Sequence, residues 1–188
     1  MKQSHFTISL AVFLLLFSSA TFAREGRYVA LGLGHSETQI SGINYTSEGV
    51  GVLIGAQYSE NFALEIEYVD FGQLIDTGAK ISANSKGIAA LFLQPMTQRA
   101  SVYLRVGVAQ VNAAMSGTGL TGLRTAISSL PYGLGFQYEY SPSTTIRLFA
   151  DAGYGYQVNG TTTTITTTNY SSNGDISRIG FTTLYTFD

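Results

Sequence analysis

Apolar and polar residues alternate along most of the chain, and the alternation is clearest in the last segment, residues 176–187. Ile179, Phe181, Thr183, Tyr185 and Phe187 share one face of an extended chain, whereas the other face is small, polar or charged. A period of two residues is typical of a β-strand with one apolar face. The pattern therefore predicts an amphipathic strand at the end of the chain.

Seven earlier segments show comparable patterns. They are residues 27–36, 49–58, 62–70, 86–93, 101–110, 130–140 and 144–156. The fourth is apolar on both faces, so its facing stays open. In the seventh, strict alternation places Ala150, Ala152 and Tyr154 on the outward apolar face, opposite Arg147 and Asp151. We expect eight strands in all.

The predicted connections alternate in length. Short ones at residues 59–61, 94–99 and 141–143 alternate with long ones at 37–45, 72–85, 111–124 and 157–175. Bacterial outer-membrane barrels have short periplasmic turns and long extracellular loops. Because a sheet in hydrocarbon cannot keep unpaired edges, the first strand must pair with the last. The sequence predicts an all-β fold, an eight-stranded antiparallel up-and-down transmembrane β-barrel with both termini in the periplasm.

The start of the chain has the features of a secretory signal peptide. Lys2 precedes an apolar run at residues 8–17, and small residues lead to Ala23. A membrane-anchoring helix is the alternative, but this run is about half the roughly 20 residues that span a bilayer. We expect a cleaved signal peptide at residues 1–23 and a barrel domain at residues 24–188.

Composition excludes several functional classes. Charged residues make up 12% of the chain, about half the usual fraction. Residues 24–188 carry two lysines and seven arginines against twelve acids, a net charge of −3, so no basic surface for nucleic acid is expected. With no cysteine and His35 as the one histidine after residue 23, we expect no disulfide, metal site or cofactor.

Charged residues also occupy the face that would line the barrel. By alternation, the inward set is Glu65, Glu67, Arg105, Glu139, Arg147, Asp151 and Arg178. This set is either a selectivity constriction or gate, or an ion-pair plug that fills the lumen. Because an eight-stranded barrel leaves little room for water, the plug is the favoured interpretation.

An enzymatic role would need a nucleophile beside a base. His35 and Ser36 lie near the outer rim, where some eight-stranded barrels that modify lipid A carry a histidine and a serine. Neighbouring residues of a strand point to opposite faces, so these two would not share a pocket. We expect no enzymatic activity.

One low-complexity segment, TTTTITTT at residues 161–168, lies in the last long connection. Its β-branched residues favour extended structure, so the last two strands could project as a hairpin whose edge pairs with a surface ligand. The alternative, which we favour, is a hydrophilic variable loop. The candidate contact residues are Thr161, Thr164, Ile165 and Tyr170.

The eight strands, the segment FALEIEYVDF (62–71) and the hairpin at residues 133–156 resemble the OmpA-type and opacity-protein barrels, also described as porin-family proteins. The resemblance implies an outer-membrane surface protein of a Gram-negative bacterium, acting through its extracellular loops, in adhesion for example. It also implies a lumenal salt-bridge network at Glu65, Glu67, Arg105 and Arg147.

The same resemblance implies the partners of the barrel. They are outer-membrane lipids, a possible host or surface ligand at the loops, and the barrel-assembly machinery, which reads a terminal signal here formed by Phe181, Tyr185 and Phe187. Asp188 follows that aromatic end, a departure from the family pattern. The alternatives are a narrow porin-like diffusion channel for small solutes and, more distantly, a lipid A-modifying enzyme.

Overall fold

The computed structural model describes residues 26–40, 43–76, 79–117, 120–121, 124–164 and 166–187, and the regular structure in these ranges is β-strand. The strands are β1 (Gly26–Ile40), β2 (Ile43–Ser59), β3 (Phe62–Asp76), β4 (Ala79–Pro95), β5 (Ala100–Gly117), β6 (Leu120–Thr121), β7 (Arg124–Ser129), β8 (Tyr132–Ser141), β9 (Thr144–Thr164) and β10 (Thr166–Phe187). Among the described residues, no helix has both the length and the apolar character to cross a membrane. The predicted signal peptide, residues 1–23, lies outside the described residues.

The strands close into a barrel. Each of β1 to β5 pairs antiparallel with the next, β5 pairs with β8, β8 with β9 and β9 with β10. β10 then returns to β1, in register from Arg27–Phe187 to Thr38–Ile176. β7 and β8 pair with consecutive parts of β5, so together they make one crossing from one end of the barrel wall to the other. The described chain therefore makes eight such crossings. The prediction of a closed eight-stranded antiparallel barrel is confirmed.

The two ends of the barrel differ. Tight turns follow β2, β4 and β8 at one end, which we call the turn end, and both ends of the described chain lie there. At the opposite loop end, the strands run far into the connections that the sequence predicts to be long loops. β3 continues to Asp76, and β9 and β10 continue to Thr164 and Thr166. The predicted loops are therefore wrong over much of their length, because these segments lack the apolar–polar alternation that reveals a strand.

Large apolar side chains are exposed on the outer wall. They include Val29, Leu31, Leu33, Val50, Val52, Tyr68, Phe92, Val102, Leu104, Val106, Val108, Leu134, Leu148, Ile179 and Phe181. Toward the loop end this apolar belt stops at outward polar positions such as His35, Glu48, Asp70, Lys86 and Gln110, which are exposed. A continuous apolar outer wall with a polar boundary is what a lipid-facing surface requires.

The structure settles the facing of the fourth predicted strand and changes the bounds of the sixth. In β4, Ala89, Leu91 and Leu93 are buried inside, whereas Phe92 is exposed on the outer wall. The predicted strand at residues 130–140 corresponds to β8, which begins at Tyr132; after a break at residues 130–131, the same crossing continues as β7, which ends at Ser129. Pro131 lies between them. It has no backbone N–H and so cannot donate a hydrogen bond to a neighbouring strand.

A bulge in β9 reverses the facing of its later residues. The β9–β10 register shifts between Arg178–Asp151 and Ile176–Tyr154, so Ser177 faces two residues of β9. Gly153 lies in this bulge with φ +84°, in the left-handed region. Tyr154 is consequently buried inside the barrel and its predicted outward facing is wrong.

We expect Gly153→Ala to destabilise the barrel by about 1–3 kcal/mol, the usual cost of holding a non-glycine residue in a left-handed conformation. A Cβ at this position would also lie 2.8 Å from the carbonyl oxygen of Leu130. Urea unfolding of the refolded protein in lipid vesicles measures the change. Gly51→Ala is the control, because its Cβ would meet no atom closer than 3.6 Å. Equal stability of the two variants would contradict a strained bulge.

Candidate functional site

The inward charges meet because of the order of strands around the ring. β3 and β9 are four crossings apart in either direction, so they face each other across the lumen. β3 presents Glu65 and Glu67 inward, two residues apart, and β9 presents Arg147 and Asp151. Opposite charges on opposite walls can therefore pair through the centre of a narrow barrel.

On the turn-end side, Arg147 forms an ion pair with Glu65 across the lumen. The Tyr28 hydroxyl donates to Glu65 Oε1 at 2.7 Å, and Arg147 Nη2 donates to Gln137 Oε1 at 3.2 Å. The guanidinium also lies over the Tyr103 ring, 5.0 Å from its centroid. These contacts compensate the burial of both charges, whose residues are 1–4% exposed.

A second layer lies next to it on the loop-end side. Arg105 Nη2 lies 2.5 Å from Glu67 Oε1, and its Nη1 lies 3.4 Å from Asp151 Oδ2. Arg178 Nη2 bridges the same two acids, at 3.1 Å from Glu67 Oε2 and 2.7 Å from Asp151 Oδ2. The Tyr154 hydroxyl accepts from Arg105 Nη1 at 3.0 Å and donates to Glu67 Oε1 at 3.2 Å.

The two layers form one cluster. Arg105 Nε lies 4.0 Å from Glu65 Oε2 and so links them. We call Glu65, Glu67, Asp151, Arg105, Arg147 and Arg178 the ion-pair cluster; its three acids and three bases balance in charge. The free space beside the cluster is about 30 Å³, which holds about one water molecule.

A glycine makes the second layer possible. Along one register row, Arg105 faces Gly133, Gly133 faces Asp151, and Asp151 faces Arg178. A Cβ on Gly133 would overlap the Asp151 carboxylate. The missing side chain lets that carboxylate lie between the two arginines.

Apolar side chains fill the lumen on the loop-end side of the ion-pair cluster. This apolar plug consists of Val69, Phe71, Ala83, Ala109, Val111, Ala113, Tyr154, Tyr156 and Ile176, all 5% exposed or less. The rings of Phe71 and Tyr154 meet edge to face with centroids 5.1 Å apart. Tyr154 belongs to both the ion-pair cluster and the apolar plug, since its hydroxyl bonds to the charged side chains and its ring packs in the plug. The lumen is therefore closed by two successive layers of different chemistry.

The sequence matches the family model described as "Outer membrane protein beta-barrel domain" over residues 9–187. The chain belongs to the outer membrane protein β-barrel family. No curated protein matches the sequence.

Several solved outer-membrane barrels share the fold. Neisserial surface protein A (NspA) has a TM-score of 0.70 at 14% identity, covering 86% of this chain and 97% of its own. OprG from Pseudomonas aeruginosa has a TM-score of 0.63 at 11% identity, and the match covers 86% of this chain and 96% of OprG. Ail, the attachment invasion locus protein of Yersinia pestis, has a TM-score of 0.56 at 13% identity, and the match covers 88% of this chain and 100% of Ail. At these identities the likeness concerns the fold alone.

Within this outer-membrane barrel, Glu139 lies apart from the ion pairs described above. It faces inward nearer the turn end, where it lines a cavity of about 140 Å³ together with Gln57, Gln137, Thr145 and Arg147. The other six charges predicted to face inward form the ion-pair cluster.

The structure separates the two residues considered for catalysis. His35 is exposed on the outer wall, whereas Ser36 is 1% exposed and lies inside. They cannot form a nucleophile and base pair. Within the described ranges, no group of three or more histidine and acidic side chains is placed to hold a metal ion.

The remaining predicted residues lie on β9 and β10. Phe181, Tyr185 and Phe187 are exposed on the outer wall of β10, with Tyr185 and Phe187 near the turn end. Thr161, Thr164 and Tyr170 belong to the two strands where they extend past the belt, and Ile165 lies outside the described residues.

Sequence reasoning missed Tyr154 and did not single out Tyr28. Gly153 was the available signal for Tyr154, because an isolated glycine inside a strand pattern often marks a bulge. Tyr28 has the same parity as the inward Ala30 and Gly32, but nothing local indicates that its hydroxyl reaches β3.

We expect Arg105→Met to destabilise the barrel by about 3–5 kcal/mol, because it leaves three buried acids with only two arginines, Arg147 and Arg178, as counter-charges. Urea unfolding in lipid vesicles measures the loss. Arg99→Met is the matched control, since Arg99 is exposed in the turn between β4 and β5. Adding Glu67→Gln to Arg105→Met should restore part of the stability, because it removes the carboxylate nearest to Arg105 and leaves two acids with two arginines. A loss no larger than that of the control would contradict a coupled cluster.

Proposed function

We propose that this outer-membrane barrel is a surface protein that acts through the strands projecting from its loop end, and that its lumen serves as a closed support. The observation that carries the proposal is the double closure of the lumen. An ion-pair cluster and an apolar plug follow one another along the barrel axis, and the space left among the charges is about 30 Å³. A solute would have to displace both layers to pass.

The projecting structure supports a surface role. Beyond the apolar belt, β9 and β10 continue as a paired ribbon from Gly155–Asp175 to Thr164–Thr166, ten residue pairs in all. At about 3.3 Å per residue, this ribbon runs about 30 Å along the strand direction. β6 adds a short third strand where Leu120 and Thr121 pair with Thr162 and Thr161. This paired backbone of β9 and β10 lies outside the apolar belt and is not needed to cross a membrane, which supports a role at the surface.

One edge of the ribbon is suited to a partner strand. Pairing of β1 with β10 ends at Thr38–Ile176, so residues 166–175 of β10 pair on one side only within the described chain. Residues 159–174 contain no charge and no proline, the usual protections of an exposed edge. An extended segment of a surface ligand could add to this edge through backbone hydrogen bonds. The backbone at Thr161, Thr164 and Tyr170 is part of this ribbon.

The proposed orientation places the ribbon outside the cell. Bacterial barrels keep short turns in the periplasm, and here the tight turns and both chain ends share one end of the barrel. The outward aromatics of β10 are then in position for the assembly machinery to read. Two barrels of the same fold have names that fit this role, Neisserial surface protein A and the attachment invasion locus protein, the latter solved with a heparin analogue.

A narrow diffusion channel is the second candidate. A polar cavity of about 140 Å³ at the turn end leads toward the small space beside the ion-pair cluster, with Arg147 lining both. Rearranged ion pairs would open one layer of the closure, but the apolar plug would remain. The two cavities are weaker support for a channel than the apolar plug is evidence against one, because the plug blocks the lumen beyond both cavities.

We expect no steady single-channel openings from the refolded barrel in a planar bilayer. Arg105→Glu should also be silent, because it disturbs the ion-pair cluster and leaves the apolar plug in place. Circular dichroism and the gel shift of the folded barrel show that each sample is folded. Steady openings of the wild type whose conductance changes in Arg105→Glu would replace the surface role with the channel.

Shortening the ribbon should abolish binding to surfaces. Replacing residues 158–172 with Asn-Gly joins Gln157 to Asn173, which already pair, by a two-residue hairpin turn. Adhesion of protein-bearing vesicles to cultured epithelial cells and to immobilised matrix proteins should fall to the level of empty vesicles. The control shortens the β3–β4 ribbon instead, with Asn-Gly in place of residues 74–81 between the paired Gln73 and Ser82. Equal adhesion of both variants would contradict a role for the β9–β10 edge.

A further inference from the structure

A groove opens on the outer wall of the barrel over β9 and β10. Its volume is about 470 Å³. Ala150 and Ala152 of β9 and Ser177 of β10 form its floor, at outward positions where the neighbouring crossings carry larger side chains such as Leu134 and Tyr132. The groove is therefore a gap in the side chains of the lipid-facing surface.

The bulge in β9 lies at the centre of this floor. Ser177 of β10 faces both Ala152 and Gly153, so two residues without large side chains stand where a regular strand would place one residue. The walls remain high on both sides, because Leu104, Tyr132 and Leu134 on one side are each 60–62% exposed, and Ile179 at the other side is 63% exposed. Local backbone irregularity and small side chains thus act together to form a groove instead of a flat wall.

The groove crosses the boundary of the apolar belt. Leu134 and Ile179 lie within the belt, whereas His35 and Glu37 lie past its edge, on the outward face of β1. These two side chains are two residues apart, so they share that face. One part of the groove is hydrocarbon-like, and the other presents an imidazole and a carboxylate.

We propose that the groove binds one lipid of the leaflet at the loop end, with an acyl chain along Ala150 and Ala152 and its head group at His35 and Glu37. In the orientation proposed above, this is the outer leaflet. The belt is in contact with lipid along its whole height, so a hydrocarbon chain is the ligand that fills an apolar gap there. The chemistry of the lining changes from apolar to polar in the same direction as that of a lipid.

The two polar side chains suit a zwitterionic head group. The Glu37 carboxylate accepts hydrogen bonds from an ammonium group, and a His35 N–H donates to a phosphate oxygen. Phosphatidylethanolamine carries both groups and serves as the probe for such a head group, because its ammonium retains three N–H donors. Phosphatidylcholine with the same chains lacks these donors and is the matched comparison.

The chain contains no tryptophan, so a single introduced tryptophan reports on its surroundings. Tyr132→Trp places this reporter on the groove wall, and Tyr68→Trp places one on the opposite side of the belt, where Tyr68 is 44% exposed. Both proteins are refolded into phosphatidylcholine vesicles that contain increasing fractions of phosphatidylethanolamine with brominated chains, which quench tryptophan fluorescence on contact.

We expect half-quenching at Tyr132→Trp to need about fivefold less brominated lipid than at Tyr68→Trp, the preference that about one good hydrogen bond supplies. Ala150→Leu in the Tyr132→Trp background fills the groove and should remove the difference. Ala90→Leu, the same change on the outward face of β4, should leave it unchanged. The double change His35→Ala and Glu37→Ala should make brominated phosphatidylethanolamine and phosphatidylcholine equally effective.

Identical quenching curves for the two reporters would overturn the proposal, since the groove would then hold lipid no better than the rest of the wall. Quenching at Tyr132→Trp that weakens as protein density rises would also overturn it, because a second copy of the chain would then cover the groove. Each variant is compared only after its folded-barrel gel shift has been shown.

Discussion

Closure of the sheet is the constraint on which the rest of the structure depends. In hydrocarbon an unpaired backbone N–H or C=O costs several kcal/mol, so a membrane sheet must have no edge. Pairing of β1 with β10, from Arg27–Phe187 to Thr38–Ile176, removes the last edge. It also fixes which strands face each other across the lumen. Glu65 meets Arg147 because closure places β3 opposite β9, not because the two residues are near in sequence.

The ion-pair cluster in turn constrains how the ring closes. A two-residue slip of β9 would keep the same face inward, so alternation alone does not prevent it. Such a slip would replace Arg147 with an uncharged neighbour of the same parity, Phe149 or Thr145, and leave Glu65 without its counter-charge. Since an unpaired buried charge is far costlier than a lost apolar contact, the cluster disfavours slipped registers that the apolar belt would tolerate.

Much of this arrangement could be predicted from the sequence, because inside and outside alternate wherever one face meets lipid. That rule places Glu65, Glu67 and Arg105 inside and Phe181 outside. It fails at Tyr154, where one extra residue in the bulge reverses the parity. It also fails beyond the belt, where β9 and β10 continue although their sequence has no apolar–polar alternation. Which charges pair, and that Glu139 lies apart from the ion pairs described, depends on distances across the ring, which no local pattern contains.

The bulge at Gly153 affects both surfaces of the wall at once. Inside, it brings Tyr154 to the boundary between the ion-pair cluster and the apolar plug, where its hydroxyl and its ring serve one layer each. Outside, it leaves Ala152 and Ser177 on the floor of a groove. A regular strand would have turned the tyrosine outward, to stand where the groove is open, and left its place in the plug unfilled. The same inserted residue therefore helps to seal the lumen and to expose a gap toward the lipid.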